Sequence, residues 1–154
     1  IPNYLVSKKG KVIKLLDDQE YSNIFTQENI NKNSIVVCLE NLGWLVKEPL
    51  KDYYVNWIGD IYKGKVFERR WRDYFFWDPY TESQFNSTFE LCKVLSEIME
   101  INFVFVGHNT KINFTEKIKG IVTRSNYHVN STDLSPAFDF ESFTQKIKNE
   151  QPSR

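Results

Sequence analysis

The run Phe103-Val104-Phe105-Val106, closed by Gly107-His108, constrains this chain more than any other stretch. Four consecutive apolar residues ending at a glycine read as a short buried strand, and a strand of that kind needs a sheet around it. The partner it predicts is Ser34 to Glu40, whose continuous Ile-Val-Val-Cys-Leu run reads as a central strand buried on both faces, lying beside 103–107. His108 then stands at the C-terminal mouth of the strand. Further on comes Thr132-Asp133-Leu134-Ser135-Pro136-Ala137-Phe138-Asp139-Phe140, which places Asp133 beside a proline-containing turn. An imidazole and a carboxylate brought together in this way can share a metal ion. The plainer alternative is a turn with a satisfied histidine.

The remaining elements follow from local signals. Tyr4 to Ser7 and Lys11 to Leu16, joined through Lys8-Lys9-Gly10, read as a hairpin with glycine at a positive-φ turn position. Residues 17 to 32 are polar and without a clear period, a loop with at most a short helical turn. Residues 42 to 80 hold all four tryptophans, Trp44, Trp57, Trp71 and Trp77, among many tyrosines and phenylalanines. Within them, Tyr53 to Ile61 and Lys65 to Glu68 flank Tyr62-Lys63-Gly64 and suggest a second hairpin. These aromatics are either the small core of an insert or a platform for sugar rings. Thr81 with Gln84 forms a capping-box signature, and Phe85, Phe89, Cys92, Leu95, Ile98 and Met99 give one apolar face to a helix over 81–100. Asp139 caps a last helix, 139–149, with Phe140, Phe143 and Ile147 facing inward. Residues 124 to 132 read as a loop, and His128 as a solvent-facing loop histidine.

Composition sets the outer limits. A chain of 154 residues with 41% hydrophobic and 16% aromatic content supports one ordered domain. We assign residues 1–149 to it, with 42–80 as an aromatic-rich insert and 150–154 as a polar tail. Twenty basic residues balance twenty acidic ones, which gives no electrostatic case for binding nucleic acid or a charged membrane surface. No apolar run approaches the roughly 18 residues that span a bilayer. Cys38 and Cys92 make no disulfide framework and fit a reducing cytoplasm.

Four segments in order resemble the zinc-dependent N-acetylmuramoyl-L-alanine amidases, a family that includes phage amidase-lysozymes and peptidoglycan recognition proteins. They are the Asn3–Leu15 hairpin, the Asn31–Asn41 strand, Gly107-His108 and the Asp133–Phe138 turn. The resemblance implies an α/β fold with a mixed central sheet flanked by helices, and a Zn2+ ion bound by His108 and Asp133. It also implies peptidoglycan as substrate, with cleavage of the amide between N-acetylmuramic acid and the stem peptide. Synthesis in the cytoplasm of a phage-infected or bacterial cell, with endolysin-like action at the cell wall, goes with it. The family's third ligand is a histidine on a strand upstream of the hairpin, so we expect it to precede Ile1 in a longer parent protein. His128 is the one other imidazole in the chain.

Three positions depart from the family pattern. Pro2-Asn3 replaces a Tyr-His pair, Ser131 stands where some members carry a lysine for the developing negative charge, and Cys38 stands where many have a glutamate base. Glu40, one pleat further on the same face, is then the candidate acid/base, and Ser131 a hydrogen-bond donor. These departures give the alternative reading of a non-catalytic peptidoglycan-binding or phage structural module, with the aromatic insert as a possible partner-protein interface.

Overall fold

A computed structural model of the chain describes residues 1–150. The expected first hairpin is present. β1 (Tyr4–Val6) pairs antiparallel with β2 (Val12–Lys14), Tyr4 opposite Lys14 and Val6 opposite Val12. Gly10 turns it at φ 78°, and a side chain there would meet the backbone oxygen of Ser83 at 2.8 Å, so the turn lies directly on the following helix. After a polar loop and α1 (Glu28–Lys32), β3 (Val37–Leu39) joins β1 in parallel, giving the order β2-β1-β3.

β3 differs from its expected form. It is an edge strand, it is not buried on both faces, and Cys38 and Glu40 are exposed. Val36 O and Glu40 N bond to β1, so by the alternation of a parallel ladder Val37 and Leu39 direct their backbone groups away from it. They face a cavity of about 670 Å3, lined on its far side by residues 116–123. Residues 103–106 therefore do not pair with β3. They form a single parallel bridge, Phe105 to Ile121, with Ile121 N donating to Val104 O at 2.7 Å and Val106 N to Ile121 O at 3.2 Å. The apolar pattern was set by Phe105, which stacks on Phe140 and packs edge-on against Phe143, not by a sheet neighbour.

Residues 42–80 form a second sheet of five antiparallel strands where the sequence suggests one hairpin. It consists of β4 (Trp44–Lys47), β5 (Tyr54–Asn56), β6 (Ile61–Tyr62), β7 (Phe67–Trp71) and β8 (Tyr74–Trp77), in the order β6-β5-β4-β8-β7. The aromatics divide between core and surface: Trp77 is 0% and Trp57 60% exposed.

α2 (Glu82–Ile98) begins where the cap predicts, with Thr81 Oγ1 accepting from Gln84 N at 3.1 Å. The capping box is not completed. The Gln84 amide is buried and donates to Val6 O at 3.0 Å and Glu40 O at 2.9 Å, tying the ends of β1 and β3 to the helix. Phe89 and Leu95 are buried as expected, whereas Ile98 is exposed. Burial pushes the Cys92 thiol up to about 12. α3 (Arg124–Tyr127) replaces part of the expected 124–132 loop, started by a Thr123/Asn126 capping box. α4 (Phe140–Glu150) is capped by Asp139, whose Oδ1 accepts from Ser142 N at 2.9 Å. Glu150, assigned to the tail, belongs to this helix, and residues 151–154 lie outside the described residues. Phe89, Phe138, Phe143 and Ile147 form the core that α2 and α4 share.

Asp78 joins the two sheets. Its carboxylate, 2% exposed, accepts from Lys8 Nζ at 2.5 Å, Tyr62 Oη at 2.7 Å and Leu42 N at 2.8 Å. Breaking a buried ion pair from one side leaves its donors uncompensated. Asp78→Ala is expected to lower the unfolding free energy by about 3 kcal/mol, read from urea denaturation; a loss below about 0.5 kcal/mol would mean that the carboxylate is not structural.

Candidate functional site

His108 sits in the turn after the 103–106 segment, where Gly107 takes φ 101°. A Cβ at Gly107 would lie 2.9 Å from Thr110 Oγ1, so both conformation and space favour glycine. Asn126 holds this turn from α3. Fully buried, it donates to Gly107 O at 2.8 Å and Thr110 O at 2.7 Å, while its oxygen accepts from Thr123 N at 2.7 Å.

The imidazole lies between two rings, Phe140 at 4.0 Å and Trp71 at 4.5 Å between centroids. Its Nε2 is 2.9 Å from Leu134 O. A carbonyl can only accept, so Nε2 carries the proton, and in the neutral ring Nδ1 keeps its lone pair. Burial is the main cause that holds the imidazole below its ordinary pKa, with Arg72 and Arg69 acting in the same direction; the Leu134 bond opposes them. A neutral histidine with one nitrogen fixed by a carbonyl has the usual arrangement of a metal-ligating imidazole.

Asp133 is brought to the same corner, one residue before the carbonyl that His108 binds. Its carboxylate is exposed and turned toward Arg124 Nη1 at 3.3 Å and Ser131 Oγ at 3.5 Å. Its charge also reaches Cys38 and Tyr80. The Cys38 thiol is raised by burial first and by Asp133 second, although the residue as a whole is exposed. Tyr80 hydrogen-bonds Ser135, and its phenol is pushed up mainly by burial.

The other two predicted catalytic residues differ in placement. Ser131 is beside Asp133 and donates its Oγ toward it. Glu40 is used elsewhere: its carboxylate accepts from Lys8 N at 2.8 Å in the turn of the first hairpin. His128 is half-buried and not free in solvent: it stacks on Phe25 at 5.2 Å and lies edge-on to Phe114. Among the described residues no three His, Cys, Asp or Glu side chains converge closely enough to hold a metal ion. His108 and Asp133 suit zinc singly as donor types, but the three-ligand set of a hydrolytic zinc centre is not assembled.

The family model for N-acetylmuramoyl-L-alanine amidases matches residues 1–122. The chain belongs to this amidase family. No curated protein and no solved structure matches it. The match includes both sheets, Cys38, Glu40 and His108, and ends before Ser131 and Asp133. Membership makes peptidoglycan the substrate class and amide hydrolysis the general activity of the family. No helix among the described residues is long and apolar enough to cross a membrane.

Sequence reasoning did not find the groups that hold the His108 turn and the Asp133 loop in place. Trp71, Arg72, Arg124 and Asn126 carry no motif, and the one advance signal was the capping-box spacing of Thr123 and Asn126.

The depressed pKa of His108 has a consequence for stability. Below the ordinary imidazole value of 6.5 the unfolded chain binds the proton more readily than the folded one. The His108 contribution is complete above that pH and is lost as pH falls from it toward the lower folded value. Urea unfolding from pH 7 down to pH 5 should therefore show a decline that is smaller in His108→Gln; equal slopes in the two proteins would contradict the assignment.

Proposed function

We propose that this chain acts on the amide that joins N-acetylmuramic acid to the first residue of the stem peptide, with zinc bound in part by His108 and Asp133. The observation that carries the reading is the neutral His108 ring, held between Trp71 and Phe140 and anchored through Nε2 to the residue after Asp133. Its Nδ1 lone pair is left for a ligand. Zinc bound there would polarise the scissile carbonyl and lower the pKa of a coordinated water to about 7. The chain's own residues would fix the imidazole, present the Asp133 carboxylate and, through Ser131 Oγ, offer a hydrogen bond to the substrate. Glu40 would act as acid/base only after leaving the Lys8 amide. Action at the bacterial cell wall, as an endolysin-like product, belongs to the same proposal.

Two observations favour the second reading, a peptidoglycan-binding domain without hydrolysis. Arg124 already occupies the carboxylate of Asp133, and the described residues bring no three donors together. Exposed Trp57 and Phe75 on the second sheet would then offer faces for sugar rings or a partner protein.

Zinc per chain, measured by elemental analysis on the protein and on His108→Ala and Asp133→Ala, separates the two. The amidase reading expects near-stoichiometric zinc that falls in both variants, with release of new amino groups from peptidoglycan by the parent protein alone. Absence of both zinc and released amine, with retention on insoluble peptidoglycan, would establish the binding reading.

A further inference from the structure

The second sheet reaches the His108 corner through one hairpin tip. Trp71 and Tyr74 are paired, and between them Arg72 and Asp73 make the turn of β7 and β8. Arg72 takes φ 55°, a left-handed conformation that a long side chain adopts at a cost and that side-chain contacts must offset.

Its side-chain hydrogen bonds all go to one segment. The guanidinium donates from Nη1 to His128 O at 3.3 Å and to Ser131 O, and from Nη2 to Ser125 O at 3.3 Å. These carbonyls belong to α3 and the loop after it, where helical partners run out. Ser131 is two residues before Asp133. Among the described residues Arg72 makes no ion pair, so its hydrogen-bonding fork is committed to backbone and not to a carboxylate. The same guanidinium lies 4.4 Å over the Trp71 ring. Trp71 in turn rests on His108 at 4.5 Å and donates its indole N–H to Asn109 Oδ1 at 3.0 Å. One side chain thus touches the loop that carries Ser131 and Asp133 and the ring that backs His108.

We propose that Arg72 is a positioning residue: from the tip of the second sheet it fixes the distance between the His108 turn and the Asp133 loop. The inference rests on the reading of His108 and Asp133 as the reactive corner. It makes 42–80 a structural support of the site as well as a surface. The fork matters more than the charge, because three carbonyls on different residues are reached by a planar guanidinium and not by the point donor of a lysine.

The test uses Arg72→Ala and Arg72→Lys in the whole chain. In the parent protein the imidazole protons of His108 carry upfield ring-current shifts from Trp71 and Phe140. In both variants these shifts should move toward the values of an unstacked histidine, and exchange of the Trp71 indole N–H should quicken by about tenfold or more. If the parent hydrolyses peptidoglycan, kcat should fall about tenfold or more in both variants while KM holds. Unmoved His108 resonances in Arg72→Ala would overturn the proposal, as would a lysine variant indistinguishable from the parent. A parent protein with neither zinc nor hydrolysis would refute the amidase reading instead, and would leave the resonance test standing.

Discussion

The buried carboxylate of Asp78 is the interaction from which the rest of the arrangement follows. A charge this far from water is tolerated only when its oxygens are supplied with donors, and the donors here come from the first hairpin, from β6 and from the backbone before β4. Asp78 also directly precedes Pro79 and the Thr81 cap, so the same group fixes where α2 begins. Thr81 Oγ1 donates to Lys8 O at 2.6 Å and reinforces that junction. Two sheets with no shared strand are thereby held in one relation, and that relation carries the β7–β8 tip to His108.

The His108 corner draws on elements far apart in sequence. Phe140 comes from the start of α4, Trp71 from the second sheet, Leu134 from the loop, and Asn126 from α3. Each constrains a different freedom of the imidazole: the rings its plane, the carbonyl its tautomer, the amide the backbone of its turn. Asp133 has fewer restraints, with an exposed carboxylate and an ion pair of the kind that contributes little in water. The corner therefore combines one rigid side chain with one that can reorient.

Local signals made α2, α4 and the first hairpin legible. Thr81, Asp139 and Gly10 act within a few residues of where they stand, and the structure has all three in the expected roles. What could not be read was where hydrogen bonds go once side-chain pattern is satisfied. Phe103 to Val106 is a continuous apolar run as in a buried strand, yet Phe105 is accounted for by Phe140 and Phe143, and the backbone bonds Ile121. The Gln84 position was right for a capping box, but its amide goes to Val6 and Glu40. In 42–80 the dense aromatics hid the strand boundaries, because buried and exposed rings look alike in sequence. His108 binds the carbonyl of the residue that follows Asp133, while the Glu40 carboxylate accepts from the Lys8 amide in the first hairpin, partners that no local pattern announces.

The free edge of β3 gives the fold one more property. An unpaired strand edge ordinarily invites another chain to dock, but Val37 and Leu39 turn theirs into a partly open pocket of about 670 Å3 that residues 116–123 border on the other side. Water can enter the pocket and hydrogen-bond the outward N–H and C=O groups of Val37 and Leu39, so this edge stays satisfied without being presented to another chain.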